Sequence, residues 1–232
     1  MPDGVGTTAL ATRIGLSRPT VHRLLSSLAA DGFVDHDGES GRWMLGPELY
    51  LMGAVAAERY DISPLARDSV RALAAETGES AFLSARRGDE TVCLLREEGS
   101  FPIRSFVLAE GVRFPLGVAS AGLVILSMLP DATVDRYLAG TDLVALYGPS
   151  HAPEPLRDRI AATRATGYAV NPGLVVEGSF GMGAAIFDAA GQPAWALSLT
   201  GVESRFGVER RAELGRLLLE HAHRVSRRLA DR

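Results

Sequence analysis

Residues 10–46, LATRIGLSRPTVHRLLSSLAADGFVDHDGESGRWMLG, constrain this chain more than any other stretch. Thr7 or Thr8 can cap a helix over 8–14, with Leu10 and Ile14 four apart on one face. Gly15 permits the left-handed turn that ends it. Ser17 suits the N-cap of a second helix. Pro19 falls in that helix's first turn, where N–H groups have no intrahelical acceptor to lose. Val21, Leu24, Leu25 and Leu28 form its predicted buried stripe, and Arg18, Thr20, His22 and Arg23 face outward. Asp31-Gly32 ends the helix. Phe33-Val34 then starts a strand, residues 37–41 turn, and 42–45 return. Two short helices joined by a tight turn and followed by a hairpin make a winged helix-turn-helix. Residues 1–6 read as turn-like.

A reader of this size accounts for a fraction of 232 residues, a length that suits two domains of about 100–150 residues. Hydrophobic content of 47% against 22% charged argues for folded cores and against extensive disorder. Charge alone does not advertise a nucleic-acid partner, since the net value is −4. Locally, Arg13, Arg18 and Arg23 lie in or beside the helix pair, whereas Asp31, Asp35, Asp37 and Glu39 follow it. All 24 basic residues are Arg, so any phosphate contact from a basic side chain can be bidentate.

Cys93, the one cysteine, excludes an intramolecular disulfide and a cysteine-rich zinc site, and fits a reducing, cytoplasmic compartment. No signal peptide opens the chain. The longest uncharged run, 114–130, is shorter than the ~20 residues a spanning helix needs. Gly117, Ser120 and Gly122 interrupt it, so it reads as a buried helix and no membrane partner is expected.

Pro47 starts a helix near 47–60, with Leu49, Met52 and Ala56 at helical spacing, a candidate linker and dimer helix. Another helix runs from Ser63-Pro64 to Gly78. The period then changes to two, predicting strands at 80–87, 91–96 and near 103–108. A buried helix over 119–129, a short one over 132–139, a loop over 141–152 and an amphipathic helix over 154–166 follow. Strands at 168–170, 181–188 and 194–200 precede a closing helix over 208–229. The fold class is therefore α+β, with a helical reader and a wing ahead of an antiparallel sheet flanked by helices. The boundaries are 1–46 for the reader, 47–61 for the linker helix and 62–232 for the second domain.

Helix 17–30 is the candidate recognition element, because a helix fits the major groove and its N-terminal residues reach base edges. Arg18 and Thr20 are best placed for that. His22 and Arg23 reach bases or phosphates, Ser17 sits at the positive helix end beside a phosphate, and Arg42 on the wing pairs a phosphate or enters a minor groove. The plain alternative is an exposed helix face with scattered Arg. No metal site is expected: His221 and His223 diverge on one helix, and the other histidines lie in different segments. Cys93 reads as a structural thiol. The GSFGMG run at 178–183 lacks a following Lys and reads as a bulged strand beside a pocket. No nucleophile–base motif supports an enzyme, and no cofactor is expected.

Taken together, LSRPTVHRLLSSLAADGFVDHDGESGRWMLG, PLGVASAGLVILSMLP, GYAVNPG and GMGAAIFDAAGQPAWALSLTG occur in an order and spacing that resemble the IclR family of bacterial transcriptional regulators. The resemblance covers nearly the whole chain. It implies a GAF-like second domain that binds a small organic effector, often a carboxylate or aromatic acid, and a homodimer or homotetramer on a palindromic double-stranded DNA operator. By position it implies effector contacts at Ser120, Ala121, Asn171, Gly181, Ser198 and Thr200. Ser198 and Thr200 alternate with Leu197 and Leu199, so both hydroxyls share one face of a strand.

The chain departs from the family pattern in three places. A further helix is expected before Thr7, where about six residues stand here; the expectation is an upstream start or a fragment. Gly117 and Leu123 replace a His and a Lys, and Asn171-Pro172-Gly173-Leu174 replaces an acidic run, which makes the pocket region less charged. No single basic residue stands out as an anion clamp; Arg104 and Arg113 are candidates only by proximity in sequence. The competing function is a small-molecule-binding protein whose shortened reader no longer binds DNA.

Overall fold

The computed structural model describes residues 3–60, 62–103 and 107–231. The chain divides into two compact units, Met1–Asp61 and Ile62–Arg232.

The first unit contains β1 (Val5–Gly6), α1 (Thr7–Ile14), α2 (Arg18–Ala30), β2 (Val34–Asp37), β3 (Arg42–Leu45) and α3 (Pro47–Tyr60). Gly15 takes φ +70° and closes α1 by donating its N–H to Ala11 O. Ser17 caps α2 by accepting from Thr20 N. The wing pairs Val34–Asp37 antiparallel with Arg42–Leu45. Ala11, Val21, Leu25 and Trp43 form the buried core.

Two expectations need correction in this unit. Val5 and Gly6 are not a bare turn: they pair with Trp43 and Arg42 and add a third strand, in the order β1-β3-β2. Leu24 and Leu28 are 49% and 43% exposed, not inward. Leu24 is rotated about 100° from Leu25 around the helix axis, and the core cluster on α2 centres on Val21 and Leu25 over Trp43.

The second unit is three layers. A six-stranded antiparallel sheet has the order β6-β5-β4-β9-β8-β7. Its strands are β4 (Ser80–Arg87), β5 (Glu90–Glu97), β6 (Arg113–Pro115), β7 (Tyr168–Pro172), β8 (Ser179–Phe187) and β9 (Pro193–Val202). One face is covered by α4 (Ser63–Thr77) and α9 (Val208–Ala230). The other packs against α5 (Ser120–Ser127), supported by α6 (Asp131–Gly140) and α8 (Pro153–Thr166). The period of two sorts β8 cleanly. Phe180, Met182, Ala184 and Ile186 belong to the α4/α9 core, while Ala185 belongs to the α5 core.

All eight residues of α5 are buried, as expected of the 114–130 run. Among the described residues no helix is long and apolar enough to cross a membrane. The 141–152 segment is not plain loop: it holds α7 (Val144–Tyr147) and a 3-10 turn, Pro149–His151. The strand expected near 103–108 falls partly on 104–106, outside the described residues; the edge strand is β6 instead. Gly181 and Gly183 do not mark a bulge. A Cβ at either would lie 3.1 Å from a Ser120 atom, so both glycines let α5 approach the sheet.

Candidate functional site

In the first unit, Ser17, Arg18, His22 and Arg23 are exposed on the N-terminal half of α2, and Thr20 is half-buried. Among the described residues neither Arg18 nor Arg23 has an acidic partner, which leaves two open guanidinium groups on that face. Thr20 Oγ1 lies 2.8 Å from Ser17 Oγ, so these hydroxyls close the helix end as a pair. His22 leans edge-on against Trp43 at 5.8 Å, and its Nδ1 lies 3.4 Å from Ser26 Oγ. His22 thus links the outward face to the core. Arg42 is turned back: it donates to Asp3 O at 2.9 Å and Gly4 O at 3.3 Å. A phosphate would compete with both carbonyls. The wing turn carries Asp37, whose carboxylate accepts from Glu39 N and Ser40 Oγ. Those bonds hold Asp37 below its ordinary pKa, the Ser40 hydroxyl contributing most.

In the second unit, one cavity brings together all six residues named above: Ser120, Ala121, Asn171, Gly181, Ser198 and Thr200. They come from α5, β7, β8 and β9, which meet because α5 lies across the glycines of β8. The space between the lining atoms is about 470 Å³, part of it open to solvent. Val107, Leu108, Phe114, Val175 and Val176 give one apolar side; Ser84, Thr91 and Ser179 add hydroxyls. These eight residues carried no local motif. Ser84 and Thr91 sit on neighbouring strands, where alternation alone would have flagged them.

Two features of this cavity point to a polar guest. Ser198 Oγ is buried and has no hydrogen-bond partner among the described residues. The first N–H groups of α5 have no intrahelical acceptor, and Ala119 at the N-cap supplies none from a side chain. Asn171 lines the cavity but is already engaged. Its Nδ2 donates to Val118 O at 2.5 Å, and its Oδ1 accepts from Leu174 N at 3.1 Å, tying the approach to α5 to the 173–178 loop. No charged side chain lines the cavity among the described residues. Arg113 is paired with Glu90 on the surface, and Arg104 lies outside the described residues.

The remaining titratable groups behave structurally. Cys93 is buried, and burial pushes its thiol up to about 12, so it is inert at neutral pH. His221 and His151 are buried, and burial holds both below the ordinary 6.5. A depressed base gives stability that is present above about pH 6.5 and lost as pH falls toward the folded value, at up to ~1.4 kcal/mol per pH unit for each group. Urea melts of the full chain at pH 7.5, 6.0 and 5.0 check this. The midpoint is expected to fall across that range and to flatten when His151→Gln and His221→Gln are combined; equal slopes in both proteins would sink the assignment.

Comparison with known proteins follows the same division. The description "Bacterial transcriptional regulator IclR C-terminal" matches residues 54–227, and "IclR helix-turn-helix domain" matches 1–38. The HTH-type transcriptional regulator KipR of Bacillus subtilis is 31% identical over 221 residues, 95% of this chain and 88% of that protein. An IclR transcriptional regulator from Alicyclobacillus acidocaldarius has a crystal structure similar at TM-score 0.82 and 27% identity, covering 96% of this chain and 89% of its own. An IclR homologue from Microbacterium hydrocarbonoxydans, crystallised with 4-hydroxybenzoate, shares the fold at TM-score 0.81 and 20% identity, covering 98% and 92%. These relatives are regulators, not enzymes. This chain belongs to the IclR family of bacterial transcriptional regulators.

Proposed function

We propose that this regulator binds a palindromic operator through α2 as a homodimer, or as a homotetramer, and that a small organic effector in the α5 cavity changes that binding. The observation that carries the reading is the cavity itself. The six residues implied by the resemblance, from four elements, are all among its lining, and among the described residues the Ser198 hydroxyl has no partner and the first turn of α5 has no side-chain cap. The 4-hydroxybenzoate bound by the Microbacterium relative supports an aromatic acid as the type of effector. Exposed Leu49, Tyr50, Met52 and Val55 on α3 support that helix as the dimer contact. A role on chromosomal DNA supports a cytoplasmic location. Effector can act only by binding the DNA-competent and DNA-incompetent states with different affinity.

Arg18 is the proposed base contact, with Thr20 and Arg23 beside it, Ser17 and His22 on phosphate, and Arg42 a secondary contact. Arg18→Ala is expected to weaken operator binding by ~1–3 kcal/mol and to relax selection at one base position. A fluorescence titration against the upstream region of its own gene reads both. Wild-type affinity with wild-type selectivity in the variant overturns Arg18 as the reader.

The exposed Leu24 and Leu28, together with Ile14 and Leu16, favour a second reading in which this chain senses a ligand without binding DNA. A mobility shift with the same DNA separates the two.

A further inference from the structure

We infer that Arg159 is the counter-charge of the effector cavity and sets its preference for singly anionic ligands. This rests on the cavity's being the effector site. The segment leading into α5 is held from behind at three successive carbonyls. Tyr137 Oη donates to Leu116 O at 2.7 Å, Arg159 Nη1 reaches Gly117 O at 3.5 Å, and Asn171 Nδ2 donates to Val118 O at 2.5 Å. The same segment continues into Ala119, Ser120 and Ala121, which line the cavity.

Arg159 differs from the other arginines of α8. Arg157 pairs with Asp135 and Arg164 with Asp131, both at 2.7 Å. Arg159 has no acidic partner among the described residues. It also donates to Ser150 O at 3.1 Å, and among the described residues its buried Nε has no partner. A half-buried cation satisfied only by carbonyl dipoles lacks a nearby compensating charge. Its neighbour His151 does not add a second cation at neutral pH, because burial and Arg159 itself keep the ring neutral.

The Gly117 peptide joins this cation to the uncapped end of α5. Arg159 reaches the cavity only through that peptide, since it lines a separate groove with Thr163, Tyr168 and Arg211; the cation and the helix end put positive potential along one stretch of chain, and the cavity's own lining carries no charge among the described residues. One net positive charge behind uncharged walls suits one negative charge in front of them. A second carboxylate would have to be desolvated against Phe114, Val175 or Val176 without a partner. Arg159 is therefore a positioning and specificity residue, not a ligand contact.

The test uses the full chain and isothermal titration with matched pairs: benzoate with benzamide, 4-hydroxybenzoate with 4-hydroxybenzamide, and phenylacetate with phenylacetamide. Wild type is expected to prefer the acid in each pair that binds. Arg159→Gln is expected to weaken the acid about tenfold and leave the amide within about twofold, and Arg159→Lys to recover most of the preference. Equal loss for acid and amide in Arg159→Gln would make the residue merely structural and overturn the inference, as would an unchanged preference. If Arg159→Gln melts early, Arg159→Lys decides alone: an acid preference that persists while the charge is kept supports the inference, and its loss overturns it. Ser198→Val keeps the two claims apart. Acid binding that survives Ser198→Val unchanged, or wild type that binds no member of any pair, overturns the effector reading itself and the inference with it.

Discussion

Replacing Trp43 with alanine is expected to unfold the first unit, abolish operator binding and leave the second unit folded. Trp43 is 5% exposed on β3, the central strand of β1-β3-β2. Its Nε1 donates to Thr7 Oγ1 at 2.9 Å, which ties the sheet to the start of α1. His22 and His36 pack on its ring at centroid distances of 5.8 and 4.4 Å. The other buried core residues are Ala11, Val21 and Leu25, all smaller. Truncating a buried Trp costs ~3–5 kcal/mol. A unit of this size holds only ~0.05–0.15 kcal/mol per residue, so the loss rivals its whole stability. The chain has two tryptophans, and Trp195 sits on β9 of the second unit. Trp195 fluorescence in Trp43→Ala therefore reports the second unit alone and is expected to melt as in wild type, while far-UV circular dichroism loses the helical signal of α1 and α2. Trp43→Phe keeps most of the ring and is expected to retain DNA binding. Full operator affinity in Trp43→Ala would show that the reader does not depend on this core.

What was legible in the sequence was what local chemistry fixes. Ser17 before Pro19, Gly15 and Gly32 at helix ends, and the alternation of Ser198 and Thr200 with leucines specify their own conformations. The sheet face of the cavity could be read from that alternation, and the resemblance aligned the segments that face it. Most of what was missed depends on partners distant in sequence. Val5 and Gly6 pair with residues near 42, which no local pattern reveals. Arg113 was near the pocket segment in sequence alone, and its pairing with Glu90 follows from the β5–β6 register. Asn171 lines the cavity as the resemblance implied, but its bond to Val118, 53 residues away, could not be read from its neighbours. Gly181 and Gly183 looked like a bulge, because nothing near them says that Ser120 lies against the strand. Leu24 and Leu28 show the opposite failure: helical spacing says that residues share a face, but not how wide a face the neighbours cover.

The second large effect is expected at Glu79, and it tests how the second unit is closed. Glu79 precedes β4, and its side chain is 1% exposed. Its Oε1 accepts from Arg205 Nε at 2.5 Å and lies 2.9 Å from Arg210 Nη1. Arg210 also donates to Thr77 O at 2.6 Å, so one carboxylate joins the end of α4, the start of β4 and the start of α9. The packing is tight: a Cβ on Gly201 would fall 2.2 Å from Glu79 Oε2. Removing one member of a buried pair costs ~3–5 kcal/mol, because the partner charge is stranded. Arg205 and Arg210 retain 27% and 28% exposure and can turn partly to water, which argues for the lower end of that range in Glu79→Ala. For a unit of this size the melting temperature is then expected to fall by roughly 10 °C. Glu79→Gln keeps an acceptor and loses only the charge, so its drop should be smaller, and Gly201→Ala should destabilise by pushing the carboxylate off both guanidinium groups. Ser80, next in the chain, pairs with Thr200 of the cavity. Effector affinity should therefore fall in Glu79→Ala even well below its melting point. A variant that melts like wild type would mean the two arginines hold α9 through backbone carbonyls alone, with Glu79 incidental to the closure.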